Sequence, residues 1–504
     1  MTLFIRNARV LTLDNQDTEF PCADILIEGS QIRAIAPNLP VPEPQPDLQI
    51  IDARGMLAMP GLVNAHLHSP GNLMKGMLDG MPLEVFMLYE VPPLSDKPPS
   101  PRLNYIRTLL GCLEMLKLGI TTVHDDAFYI PIPTPDTIDG LMQAYADSGM
   151  RVAAALDQPN VVEYEKYPYL YDLLPEELRQ QMANAPRQST EELLELNRYV
   201  LERWHGQCGD RLRAAVSCSA PQRVTPDYFA ALSDLSRTYD LPFNVHILET
   251  KLQRVLGQEK YGKSLVQYVA DLGLLDERML VIHAIWVDDA DMDRLAASGC
   301  SVAHNPVCNL RLGSGIMPFR ALRDRGIPLC FGTDEACVDD TLNLWGVIKM
   351  AGLLHTLTQL DYRHWLKPQE LLHTAIRGGA RAMRLGQKIG VLAPGYEADV
   401  ILLDLDTLAF TPLNDLRRQL VFCENGSSVR MAIVAGQVVM QEGHVLTVDE
   451  AAIKAEAREL MQEYHANLEA VMQNANILEP YYRDMYLRAA TQDVGMNRRA
   501  GYEA

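Results

Sequence analysis

Residues 60–68, PGLVNAHLH, end an apolar, strand-like run in a His-x-His pair. Side chains two apart on a strand face the same side, so His66 and His68 aim two imidazoles at one point. That is the beginning of a transition-metal site. Alone, the pair reads equally as two surface histidines; its weight depends on what else arrives at the same place. Downstream stand His246 and Glu249 in FNVHILET, His283 in VIHAIWV, His304 in VAHNPV and Asp334 in FGTDE. Three neutral imidazoles, His66, His68 and His246, with the Asp334 carboxylate suit one divalent ion per chain, Zn²⁺ first and Fe²⁺ as the alternative. Water on such an ion has its pKa brought to roughly 7, so hydroxide forms at neutral pH. Glu249, three residues beyond His246, is placed as a proton shuttle. Asp334 can also accept a proton from the water, and His283 can polarise the substrate or hold the nucleophile in line.

The elements that must gather these residues are legible. Apolar runs lie at 58–68, 119–127, 151–159, 212–221, 242–249, 279–287, 300–307 and 327–335. Helix-like segments separate them, at 101–118, 137–149, 190–205, 226–239, 262–273, 289–298 and 317–325. Eight nearly continuous apolar strands, each followed by a helical stretch, predict an α/β fold with a closed parallel (β/α)₈ barrel. An open doubly wound sheet is the competing pattern, but no G-x-G-x-x-G follows the first run. A barrel collects its chemistry at the C-terminal strand ends, where His66, His68, His246, His283, His304 and Asp334 all fall. His124, on the second strand, reads as structural. Residues 1–57 and 389–449 carry short alternating runs broken by turn residues, predicting a small β-sandwich domain built from both termini around a barrel spanning 58–388. Residues 450–504 form a C-terminal helical extension, with a helix at 450–473 and a tail packed on the barrel or a neighbouring subunit.

Bulk properties narrow the function. A net charge of −20 over 504 residues disfavours nucleic acid and anionic membrane as partners. No apolar run is long enough to span a bilayer, and the N-terminus lacks the plan of a signal peptide. Nine cysteines without a C-x-x-C read as free thiols, which predicts a cytoplasmic protein. A small-molecule substrate and a homo-oligomer complete this picture.

The motifs MPGLVNAHLH, GITTVHD, VHILET, VIHAIWV, VAHNPVCNLRLGSGIMP, FGTDE and GVLAPGYEADVILLD together resemble the amidohydrolase superfamily over about residues 1–450. The resemblance is to its cytosine deaminase-like branch, which includes methylthioadenosine/S-adenosylhomocysteine deaminases, guanine deaminases and s-triazine hydrolases. It implies a mononuclear Zn²⁺ or Fe²⁺ hydrolase with His66, His68, His246 and Asp334 on the metal and Glu249 and His283 at the acid/base and water-orienting positions. Binuclear relatives bridge two ions with a carboxylated lysine on the fourth strand; LRAAVSCSAP has none, so one metal is expected. Two departures bear on specificity. The fourth strand continues Ser219-Ala220-Pro221-Gln222-Arg223, where related deaminases tend to read H-A-P-Y, and Gly71 stands where guanine deaminases tend to carry a purine-reading glutamine.

The long loop SPGNLMKGMLDGMPLEVFMLYEVPPL is expected over the barrel mouth, with Asn72, Glu84, Phe86 and Tyr89 as pocket residues; its Met and Phe side chains serve equally to pack it down. Gln222, Arg223, His304 and Glu335 are further expected substrate contacts. A Glu335 carboxylate at the rim would favour a neutral or cationic ligand, and Arg223 would take a substrate carboxylate; Glu335 as a helix cap is the competing role. The reading as a whole is a metal-dependent hydrolase releasing ammonia or an amine from an amidine- or guanidine-like carbon, in a nitrogen heterocycle. Hydrolysis of a C–Cl or amide bond at the same site, and an idle scaffold, are the alternatives.

Overall fold

The computed structural model describes residues 1–95 and 98–499. Its body is a (β/α)₈ barrel. The strands are Leu62–Leu67, Ile120–Phe128, Arg151–Asp157, Leu212–Ala214 continued as Val216–Ser217, Phe243–Ile247, Met279–His283, Ser301–His304 and Leu329–Phe331. All pairings along this series are parallel. Two seams join its halves. The fourth strand changes partner at Ala215, whose N–H donates to Ala154 O at 2.8 Å while Val216 N–H donates to Pro242 O at 3.1 Å. Between eighth and first strands, Asp334 N–H donates to His66 O at 3.0 Å, within a parallel bridge of Leu67 and Asp334. That bond carries the last strand's carboxylate to the first strand's histidines.

Strands one, two, three, five and six are buried along their whole length. Helices cover a parallel sheet outside and side chains fill it inside, which is why these runs are apolar without alternation. The expected helices appear within a few residues of their predicted limits, as Pro101–Lys117, Thr190–Arg203 and Asp289–Ser298 illustrate. Local chemistry sets such ends: Thr134 accepts from Thr137 N–H at the start of Pro135–Ser148, and Gly149 closes it at φ 82°. Between the fifth and sixth strands two helices, Lys251–Tyr261 and Leu265–Asp271, stand where periodicity predicted one.

The termini build one nine-stranded sheet. Its own core includes Leu3, Ile5, Ile25, Ile27, Val400, Leu402 and Ile433. The run 58–68 is divided. Met56–Pro60 belongs to this sheet, antiparallel to Val400–Asp404, and the barrel begins at Leu62. Gly61 makes the crossing possible, since a Cβ there would lie 2.1 Å from Thr121 Oγ1.

The C-terminal helix runs over Glu450–Ala490, well past the expected 473. Ala475, Leu478, Tyr482, Met485 and Ala489 bury one face against Val85, Leu88, Tyr167 and Leu170 of the loops above the barrel. Their three-and-four spacing explains the extra turns, and the covering is made within one chain.

Barrel and terminal sheet are tied by a buried ion pair. Arg151 Nε and Nη2 donate to Asp399 Oδ2 and Oδ1 at 2.8 and 3.2 Å, and Ala435 N–H also donates to Asp399 Oδ1, at 2.8 Å. Arg151→Met strands the carboxylate and is expected to cost about 3–5 kcal/mol. Asp399→Leu in the same chain should restore much of it. Urea unfolding checks both; a loss under about 1 kcal/mol for the single variant would show that the pair does not secure the junction.

Candidate active site

Six predicted residues converge at the C-terminal mouth of the barrel. The donor atoms of His66, His68 and His246 lie within 4.8 Å of one another, as do those of His66, His283 and Asp334. His66 Nε2 is 3.3 Å from His246 Nε2 and 3.3 Å from Asp334 Oδ1; His68 Nε2 is 3.7 Å from the same oxygen. Carbonyls behind the rings fix which nitrogen faces inward. His246 Nδ1 donates to Ser219 O at 2.8 Å and His68 Nδ1 to Asp126 O, so both Nε2 atoms face the centre.

This arrangement tests the fit of a metal. Two imidazole nitrogens facing at 3.3 Å are bridged either by the one proton of a neutral His66, whose Nδ1 has no partner, or by a cation that meets a lone pair on each. Two nitrogens about 2.05 Å from a tetrahedral ion stand about 3.3 Å apart. Charge agrees with distance. Burial pushes His66 and His246 below the ordinary imidazole pKa, so both are neutral ligands. Burial works against charge on His68 too, but Glu335, Asp334 and Asp126 outweigh it and raise its pKa to about 9, the signature of a field that draws a cation. Burial would raise Asp334, yet His66, His283 and His68 hold it well below the usual carboxylate range.

Glu249 and His283 stand beside these groups. Glu249 Oε2 is 3.4 Å from His283 Nε2, which is 3.7 Å from Asp334 Oδ2. His283 Nδ1 faces Asn309 Oδ1 at 2.9 Å, and burial lowers its pKa to about 4, so it is neutral. Burial, with Asp334 and Glu84 nearby, raises Glu249 well above the ordinary carboxyl range. The backbone bends to present these groups: Ser219, Leu248, His283 and Asp334 have φ of 61°, 54°, 74° and 62°. Non-glycine residues enter that left-handed region at a cost, and such strain concentrates where function demands it.

An open cleft of about 690 Å³ leads to these residues, lined also by Leu83, Met87, Phe128, Asp157, Arg223 and Glu335. Arg223 and Glu335 are thus where the sequence placed them. Glu335 makes no side-chain cap bond to the helix it precedes. It shares a hydrogen bond with buried Glu90. Burial and Glu90 push Glu335 well above the ordinary carboxyl range.

The structure does not bring the other expected contacts to the cleft. Asn72 is buried, with Nδ2 donating to Arg107 O at 3.1 Å. Phe86 packs among Met74, Leu78, Cys308 and Val338. Tyr89 donates to Asn476 Oδ1 at 3.1 Å and faces a neighbouring cavity. Glu84 accepts from Thr250 Oγ1. Gln222 is buried behind the fourth strand's end. His304 lies with Nε2 3.0 Å from His355 Nε2, against Phe319 and Phe331. For Glu84, Phe86 and Tyr89 the reason is that the loop forms a helix, Leu83–Glu90, which turns Leu83 and Met87, four apart, toward the cleft and Phe86 away. Asp157 and Phe128 were missed although each is the last residue of its strand, the position that singled out the histidines. His124 is buried with neither ring nitrogen partnered, as a core residue.

Residues 57–439 match the model of the amidohydrolase family, and the chain belongs to that family. It is 29% identical over 466 residues to a 5'-deoxyadenosine deaminase of Methanosarcina mazei, covering 92% of this chain and 99% of the relative. It is 30% identical over 456 residues to a 5-methylthioadenosine/S-adenosylhomocysteine deaminase of Pelotomaculum thermopropionicum, covering 90% and 97%. The zinc complex of atrazine chlorohydrolase TrzN from Arthrobacter aurescens TC1 superposes with a TM-score of 0.82 at 26% identity, covering 91% of this chain and 99% of that one.

The donor set is expected to hold about one divalent ion per chain. His246→Ala should lose that ion together with activity, read by elemental analysis of protein freed of loose metal. A second ion at full occupancy, bridged to the first, would overturn the mononuclear reading.

Proposed function

We propose that this member of the amidohydrolase family is a zinc-dependent hydrolytic deaminase. It releases ammonia or a simple amine from the amidine-like carbon of an aminated nitrogen heterocycle. The observation that carries this is the Glu249 carboxyl 3.4 Å from His283 Nε2, itself 3.7 Å from Asp334, at one converging donor set. The deaminase relatives support the leaving group.

A divalent cation held by His66, His68, His246 and Asp334 supplies a water acidic enough to attack at neutral pH. Glu249 gives its proton to the ring nitrogen next to the attacked carbon, which makes that carbon electrophilic and places the incoming charge on the ring. Asp334 takes a proton from the attacking water. Its second oxygen, Oδ2, is held by Asn305 Nδ2 at 3.2 Å, so the carboxylate is fixed while it does so. His283 keeps the water in line through Nε2. Glu249, now ionised, takes the proton of the newly added hydroxyl and passes it to the departing amine, which cannot leave as an anion, and the proton on Asp334 returns to Glu249, so both carboxyls end as they began. Glu335, on the cleft wall, is placed to hydrogen-bond a ring or exocyclic nitrogen.

Displacement of chloride is the second reading, favoured by the chlorohydrolase neighbour. Chloride needs no proton to leave, so the placement of Glu249 favours an amine. Among the described residues no helix is long and apolar enough to cross a membrane. Nine free cysteines support a cytoplasmic location. The exposed Leu357, Leu360 and Tyr362 on one short stretch support a homo-oligomer.

A colorimetric screen for ammonia over aminated purines, pterins, pyrimidines, triazines and guanidino compounds tests the reading, with chloride release from chlorinated triazines alongside. Chloride without ammonia would decide for the second reading. Glu249→Gln should keep its metal and lose roughly 10²-fold or more in turnover. Near-normal turnover in that variant would remove Glu249 from the mechanism.

A further inference from the structure

Beside the metal cleft lies a second cavity, of about 690 Å³, that the mechanism does not use. Its walls are apolar: Leu103, Phe128, Ile130, Leu468 and Val471, with four prolines. One cation faces it. Arg107, inside the helix Pro101–Lys117, is 7% exposed and its Nε has no hydrogen-bond partner. Among the described residues no carboxylate or carbonyl accepts from this guanidinium. Asp125, whose charge acts on it, is engaged by Ser69 N–H at 3.0 Å and Tyr145 OH at 2.8 Å. Glu90 lines the same cavity but is taken up by Cys337, whose Sγ donates to it at 3.3 Å, and by Glu335. Burial lowers the pKa of Arg107 to about 10, which still leaves it charged at neutral pH.

The two spaces are neighbours. Phe128 lies 5.9 Å, ring to ring, from the metal-site residue His68 and lines both. A third cavity connects them, sharing Val91, Asp157 and Lys166 with the cleft and Pro92, Ser95 and Ile130 with the side cavity. A buried arginine is retained where its planar fork meets a planar anion, and a carboxylate matches it with two parallel hydrogen bonds. Apolar walls with one such group are the usual plan of a small-ligand pocket.

We propose that this side cavity is a subsite for a substrate substituent that is apolar along its length and ends in a carboxylate, which Arg107 receives. The heterocycle then lies in the cleft and the substituent passes around Phe128. The inference rests on the deaminase reading for what occupies the cleft, but its test does not depend on turnover.

The probes are 4-phenylbutyrate and its neutral amide, titrated calorimetrically into the metal-loaded full chain. The acid should bind and the amide bind at least tenfold more weakly. Arg107→Met should lose the acid by tenfold or more, and Leu468→Trp, which fills the cavity from the C-terminal helix, should lose it with Arg107 intact. If Arg107→Met does not fold, Leu468→Trp decides. Where a heterocycle is turned over, the acid should raise KM and leave kcat unchanged. Equal binding of acid and amide, no binding of the acid, or binding that survives both substitutions and so resides on the metal, would each overturn the subsite. Binding through Arg107 in a protein that releases no ammonia would overturn the deaminase reading and leave the cavity's assignment standing.

Discussion

The structure turns on the close approach of two imidazoles. Nε2 atoms of His66 and His246 face each other at 3.3 Å, with Nδ1 of His246 already spent on the Ser219 carbonyl. Burial keeps both rings neutral, and His66 Nδ1 has no partner, so without a metal the one proton of His66 on Nε2 is what bridges the pair. A cation that takes that proton's place meets two lone pairs at a distance already set. The barrel sets that distance. The Asp334 N–H bond to His66 O fixes the eighth strand against the first at the level of the ligands. Asn64 and Thr333, one pleat further in, exchange two more hydrogen bonds, at 2.7 and 3.0 Å.

Electrostatics follow from the same crowding. Asp334, Glu335, Glu249, Asp157 and Asp126 surround one small volume, and most are cut off from water. So many buried carboxylates cannot all ionise. Asp334, closest to the imidazoles, is pushed below the ordinary carboxyl range, and burial pushes Glu249 and Glu335 above it. In the proposed reaction acid and base thus separate by environment, although the side chains share one functional group. For Glu249 burial is the larger cause, with the charge of Asp334 behind it.

How much of this was legible depends on the kind of rule each residue obeys. His66, His68, His246, His283 and Asp334 were readable because strand parity and the barrel's polarity fix where a strand-end side chain points. Asp157 obeyed the same rule and was passed over only because a lone aspartate is common. Asn72, Phe86, Tyr89 and Gln222 lie on loops, where no period links sequence position to direction. The loop helix Leu83–Glu90 is hydrophobic nearly all round, so its pattern does not reveal which face meets the cleft. His304 misled for another reason: it has the strand-end position, but the aromatic rings of Phe319 and Phe331 and the imidazole of His355 enclose it. The C-terminal helix was read only as far as 473, although the spacing of Leu478, Tyr482 and Met485 carries it on past Pro480 to Ala490.

That helix shows why reaction and specificity have different origins in this chain. The metal residues come from strands whose directions the barrel dictates, and no change of loop moves them. The walls beyond them come from Leu83–Glu90, from the end of the second strand and from the extension, which packs on Leu83–Glu90 and on the helices Pro101–Lys117 and Lys251–Tyr261. Leu468 and Val471 reach the side cavity only because Leu478, Tyr482 and Met485 anchor the helix further along. An extension fixed at that distance alters the pocket without touching the ligands. A barrel that must keep its ligand geometry can therefore still change its substrate, because the residues that bound the pocket are stabilised by a separate apolar cluster.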